Sequence, residues 1–165
     1  MVRYDESARI IRRMIDHARR CLAAACFFLF SQTAFAAPTC TFRSSAVVSF
    51  GSYNVFATLP NNNGVGSLTI RCLGGGGPTF NVTLSSGQSN SYASRVMMSG
   101  INTLNYNLYT STARTVIWGD GTGGSSVMTV RRNSTTTLNV FGQIPAGQDA
   151  AVGIYTDSII TTVIF

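Results

Sequence analysis

Between residues 37 and 165 the groups able to do chemistry are few. There are three carboxylates (Asp120, Asp149 and Asp157), two cysteines (Cys40 and Cys72) and six arginines. The same stretch has no histidine, glutamate or lysine; His17 and Glu6 lie in the first 36 residues. A serine or cysteine nucleophile would therefore lack a histidine base. A zinc site would lack nitrogen ligands. A carboxylate pair for glycoside hydrolysis could come only from the three aspartates. The residue types point away from catalysis, and no cofactor or metal site is expected.

The smaller motifs give the same answer. Trp118-Gly119-Asp120-Gly121-Thr122-Gly123-Gly124 offers one aspartate, too few for a calcium loop, and no lysine follows as in a phosphate-binding loop. It reads as a hairpin turn with Trp118 at the edge of a sandwich. Gly74 to Gly77 with Pro78 precedes no helix that could add its dipole to an anion site, so it reads as a flexible connection. Two matches to the glycosylation sequon, at Asn81 and Asn133, are too short to carry weight. Arg131-Arg132 reads as a solvated strand end. Tyr155 is a candidate corner tyrosine, its alternative being core packing. Asp157 is expected to face solvent or to pair with Arg71 or Arg95.

The cysteines depend on where the chain is exported. Six arginines precede an apolar run, Cys21 to Phe30, followed by small residues at Ala34 and Ala36 in the A-x-A pattern of a cleavage site. Residues 1–36 thus read as a signal peptide. The run is too short for a membrane span, so an integral membrane protein is not expected. The competing reading, an amphipathic helix kept on the protein, fails to explain why the composition changes where the A-x-A pattern ends. Export leaves Cys40 and Cys72, which read as one disulfide. It also leaves six arginines against three aspartates, or +3 of the whole chain's +6. With the arginines scattered along the sequence, no basic face for nucleic acid is expected.

The elements that must position these residues are strands. Short alternating segments recur: Thr41–Phe50, Ser67–Leu73, Thr79–Ser85, Thr103–Tyr109 and Thr137–Ile144, where small Gly142 sits between Val140 and Ile144. Shorter candidates are Tyr53–Thr58, Arg95–Ser99, Thr115–Trp118 and Val127–Arg131. Gly-, Asn- and Pro-rich breaks separate them. Seven or more short strands in about 130 residues predict one all-β, two-sheet sandwich domain over 37–165. The last stretch, Val152–Phe165, reads as a strand that is apolar on both faces near its end. Ile160 and Ile164 fall on one side and Ile159, Val163 and Phe165 on the other. With no strand after it, its open edge is a liability unless something pairs there.

Several of these segments resemble the spore coat protein U domain, the module of Csu-type (archaic) chaperone–usher pilins. They are Cys40 followed by Phe50-Gly51-Ser52-Tyr53, Ser67 to Cys72, Leu104 to Tyr109, Trp118 to Gly121, Phe141 to Gln148, and Gly153 to Ser158 leading into Ile159 to Phe165. The resemblance spans essentially all of 40–165. It implies an immunoglobulin-like sandwich that lacks its final strand. A periplasmic chaperone supplies that strand first, and a neighbouring pilin subunit replaces it at an outer-membrane usher. It implies export through the periplasm to a cell-surface pilus, and a groove bordered by Phe42, Val48, Phe50, Ile154, Ile160, Val163, Ile164 and Phe165.

The sequence departs from the family on the donor side. A polymerising subunit needs about ten alternating residues ahead of its first cysteine to fill a strand-length groove. Only Ala37-Pro38-Thr39 separate the expected cleavage site from Cys40. The expectation is a structural, adhesive subunit that accepts a strand at the tip of a fibre or as a minor component. The alternative is a self-contained secreted coat or surface-binding protein, with a surface or glycan as its ligand.

Overall fold

The structure, a computed structural model, describes residues 37–165. The expected leader and its cleavage residues, Ala34 and Ala36, lie outside the described residues. The strands are β1 (Thr39–Ser49), β2 (Val65–Leu73), β3 (Thr79–Leu84), β4 (Arg95–Ser99), β5 (Asn102–Tyr109), β6 (Met128–Arg131), β7 (Ser134–Gln143) and β8 (Thr161–Ile164). A single 3₁₀ turn, Gly87–Ser89, follows β3. The strands form two antiparallel sheets, one of five strands in the order β1-β2-β7-β5-β4 and one of three in the order β6-β3-β8. This is an all-β sandwich of the immunoglobulin-like, pilin-like type.

Alternation of side chains builds the core, as period-2 patterning requires. β2 buries Ile70 and Cys72, β3 buries Phe80, Val82 and Leu84, β5 buries Leu104, Tyr106 and Leu108, and β7 buries Leu138 and Val140. Glycines are used where an aromatic ring must come close. The Phe50 ring lies against Gly64 and Gly142, and a Cβ at Gly142 would stand 2.5 Å from it. Phe50 then meets Tyr106 edge to face at 5.8 Å, a favoured aromatic geometry.

Cys40 and Cys72 are cross-strand partners in the β1–β2 ladder and form a disulfide, 32 residues apart in sequence. In the chain-entropy model such a loop closure stabilises by about 3–4 kcal/mol. The bond matters because β1 has little else to hold it. β1 pairs only with β2, its register shifts at Phe42/Ser44 and Ala46/Ser49, and most of its residues are exposed.

Four sequence expectations need correction. Tyr53–Thr58 is a turn, in which Asn54 captures two backbone groups: its side chain accepts from Phe56 N at 3.0 Å and its carbonyl from Ala57 N at 3.1 Å. Asparagine competes with strand pairing in this way. Thr115–Trp118 contributes only isolated bridges, Tyr109↔Ile117 and Trp118↔Ser126. Trp118 is fully buried in the core, where its indole N–H donates to Val82 O at 2.9 Å. Val152–Phe165 is not one strand. Thr156 bridges to Met98 of β4, and only Thr161–Ile164 pairs with β3. The segment changes sheets midway, which breaks a single alternating ladder.

Candidate functional site

β1 forms one edge of the five-stranded sheet, and β8 forms one edge of the three-stranded sheet. Among the described residues, neither has a strand on its other side. Between them the sandwich is open. A cleft of about 530 Å³ runs along this gap. One wall is β1, from Phe42 through Val48, with Phe50 just beyond it. The other wall is Tyr155, Thr156, Asp157, Ile159 and Thr161. The floor is core side chains contributed by five strands, Leu68, Val140, Leu108, Tyr106, Met97 and Leu84. The apolar interior is thus reachable along a line flanked on one side by the unpaired edge of β1 and on the other by residues 155–161, which lead into β8. Unpaired edges of this kind are templates for strand addition.

A second cleft of about 780 Å³ adjoins the first and shares Val47, Val48, Phe50, Met97 and Tyr155 with it. Loops bearing Phe56, Val152 and Ile154 line it, and these side chains are strongly exposed, Phe56 to 90% and Ile154 to 85%.

The structure brings together only part of the expected groove. Phe42, Val48 and Phe50 line the cleft beside β1, and Ile154 lines the adjoining one. Ile160 and Ile164 are exposed and line neither cleft. Val163 and Phe165 are also absent from the walls. Val163 packs against the core opposite Val82, and Phe165 packs edge to face on Phe80 at 5.4 Å. The inward set on this segment is the odd-numbered one, Tyr155, Asp157, Ile159, Thr161 and Val163, each partly buried. Adjacent Ile159 and Ile160 hide that parity in the sequence; Tyr155 and Val163, eight residues apart on the same parity, carry the available signal.

Polar groups secure the floor. Arg95 is fully buried and donates to Ser85 O (Nε 3.1 Å, Nη2 2.8 Å), Asn107 Oδ1 (2.7 Å) and Trp118 O (2.7 Å). Burial lowers its pKa. Asp157, expected to face solvent or to pair with Arg71 or Arg95, is partly buried and pairs with neither arginine; its carboxylate accepts from the Tyr106 hydroxyl at 2.7 Å. Burial, and then this hydrogen bond, raise the Tyr106 pKa strongly. Tyr155 makes a corner bond, donating to Ala151 O at 2.9 Å.

Four of the six arginines, Arg43, Arg71, Arg131 and Arg132, lie on the strands and turn near the disulfide, whereas Arg95 is buried in the floor and Arg114 bonds to Gly142 O and Asn62 O. Arg71 lies opposite Thr41 with Arg43 close by, while Arg131 and Arg132 flank the β6–β7 turn that bonds to Gly75 and Pro78. They do not make one face, since Arg71 and Arg131 point outward from different sheets.

Among the described residues no three or more His, Cys, Asp or Glu side chains group to hold a metal ion. No described helix is long and apolar enough to cross a membrane.

An open two-sheet sandwich with a disulfide-anchored edge strand defines the class as pilin-like. The Spore Coat Protein U domain model matches residues 26–162, and the chain belongs to that family. Among solved structures, 11 chains match. One comes from the chaperone–tip adhesion subunit pre-assembly complex of the archaic chaperone–usher Csu pili of Acinetobacter baumannii. It is 25% identical with a TM-score of 0.51, and the match covers 78% of this chain and 40% of that one. The chain therefore spans about two fifths of the length of the chain it matches. No curated protein matches.

Proposed function

We propose that this chain is a structural and adhesive subunit of a chaperone–usher pilus, exported through the periplasm to the cell surface. Its cleft accepts a donor strand, first from a periplasmic chaperone and then, at an outer-membrane usher, from a neighbouring pilin subunit. The observation that carries this reading is the open core between the unpaired edge of β1 and the segment that leads into β8. An extended segment laid there would hydrogen-bond to a free edge and cover the apolar floor with alternate side chains. Family membership and the likeness to a chain from a chaperone–tip adhesion subunit complex support the same reading.

The test is site-specific photocrosslinking in periplasm that contains the cognate chaperone. A photoreactive residue in place of Val48 should crosslink to the chaperone, and one in place of exposed Arg131, on the far edge strand, should not. Equal yields at both positions would count against the cleft.

A tip or minor position follows if processing occurs after Ala36. Three residues then precede Cys40, and the domain accepts a strand without offering one. The mass of the exported chain checks this; a start about ten or more residues upstream of Cys40 would contradict it. Exposed Phe56, Val152 and Ile154 on neighbouring loops support the adhesive part, because clustered exposed apolar groups mark contact surfaces.

A further inference from the structure

From this hydrogen-bond pattern we infer that Asp157 is a positioning residue for the cleft, the clamp that fixes where the last segment leaves one sheet and joins the other. This rests on the reading of the cleft as a strand acceptor and names the group that sets its wall. At Thr156 the chain is bonded both ways to Met98 of β4, with Thr156 N to Met98 O at 3.0 Å and Met98 N to Thr156 O at 2.9 Å. Four residues later it belongs to the other sheet, where Ser85 N donates to Ile160 O at 2.9 Å and Ile160 N to Ser85 Oγ at 3.0 Å. Residues 157–159 between these anchors belong to no ladder, although Asp157, Ile159 and Thr161 form the cleft wall.

The Asp157 carboxylate bridges this unladdered span to both sheets. Oδ2 accepts from Tyr106 of β5 at 2.7 Å. Oδ1 accepts from Ser158 N at 2.7 Å, and from Gln88 N and Nε2 at 3.2 and 3.3 Å, in the turn that follows β3. Gln88 Nε2 also donates to Thr156 O at 3.2 Å. The turn is shaped for this contact. Gly87 has φ of 68°, and a Cβ there would collide with the carboxylate. One carboxylate with four donors is a strong local tie. Arg95, packed nearby, spends its hydrogen bonds on Ser85, Asn107 and Trp118 and leaves Asp157 to the clamp.

A wall that is already ordered binds an incoming strand without first being ordered by it, so the clamp acts through preorganisation. The test uses the full exported chain and compares wild type with Asp157→Ala, Asp157→Asn and Tyr106→Phe. Amide hydrogen exchange reads the clamp, and the affinity of a synthetic peptide of about ten alternating Val and Thr residues reads the cleft. Asp157→Ala should speed exchange at 156–160 and 86–89 while leaving Ile70 and Cys72 protected, and should weaken peptide binding about tenfold. Asp157→Asn keeps an oxygen for Ser158 and Gln88 and an amide that can donate to the Tyr106 oxygen, so its losses should be smaller. Tyr106→Phe, which deletes one bond, should fall between wild type and Asp157→Ala and serves if that variant does not fold. Unchanged local exchange in Asp157→Ala or Tyr106→Phe overturns the clamp. Faster local exchange with unchanged peptide affinity overturns its role in the cleft. A wild-type chain that does not bind the peptide overturns the strand-acceptor reading, while the exchange data still judge the clamp.

Discussion

Two residues show how closely the cleft floor is built. Phe50 reaches the core only because Gly64 and Gly142 leave room for its ring. Gly142→Ala should therefore cost about 1–3 kcal/mol by overpacking, measured as a lower urea midpoint at unchanged slope. Adding Phe50→Leu should recover part of that loss; additive losses would contradict the contact. Tyr106 makes a pH prediction. Its pKa is raised by burial and by Asp157, so the native state holds its proton where an unfolded tyrosine, near pH about 10, releases it. The unfolded state then binds fewer protons, and stability should fall as pH rises above about 10, while below that its contribution is fully present. Tyr106→Phe should make the fall shallower in urea titrations on the two sides of that value; an identical slope would refute the assignment. The sequence singled out Asp157 but gave no sign of Tyr106 as its partner, because that contact joins residues 51 positions apart.

At the scale of elements, alternation was enough to locate β2, β3, β5 and β7, whose buried faces are regular. It was also enough to place the breaks, because glycine and asparagine act through local backbone chemistry. It failed where pairing is local or switches partner. Tyr53–Thr58 alternates as a strand would, yet Asn54 turns it. The last segment reads as apolar on both faces because it serves two sheets in succession. The disulfide was legible from two cysteines behind an export signal, and its position gives it a job beyond stability. It anchors β1, the exposed wall of the cleft, to β2. Replacing both cysteines with serine should cost about 3 kcal/mol in urea unfolding. The loss of protection should concentrate in Thr39–Ser49, and a loss spread evenly over both sheets would contradict this view of β1.

At the scale of the molecule, the sandwich class followed from the number and spacing of short strands. That the sandwich stands open did not follow from composition; it was implied by the family resemblance and by the apolar last stretch. Of the expected groove residues, Phe42, Val48 and Phe50 line the cleft beside β1, whereas Ile160 and Ile164 are exposed and line neither cleft. Side-chain parity cannot be read across a change of sheet. An open core beside a free edge leaves apolar surface in water that one added strand would bury, so the chain should gain stability from such a strand by mass action. The most direct measurement is thermal unfolding of the disulfide-intact exported chain, alone and with an excess of a peptide of about ten alternating apolar residues. The melting temperature should be modest alone and should rise strongly, in a concentration-dependent way, with the peptide. A high melting temperature that the peptide leaves unchanged would mean that the groove is already closed and that the chain works as a self-contained secreted module.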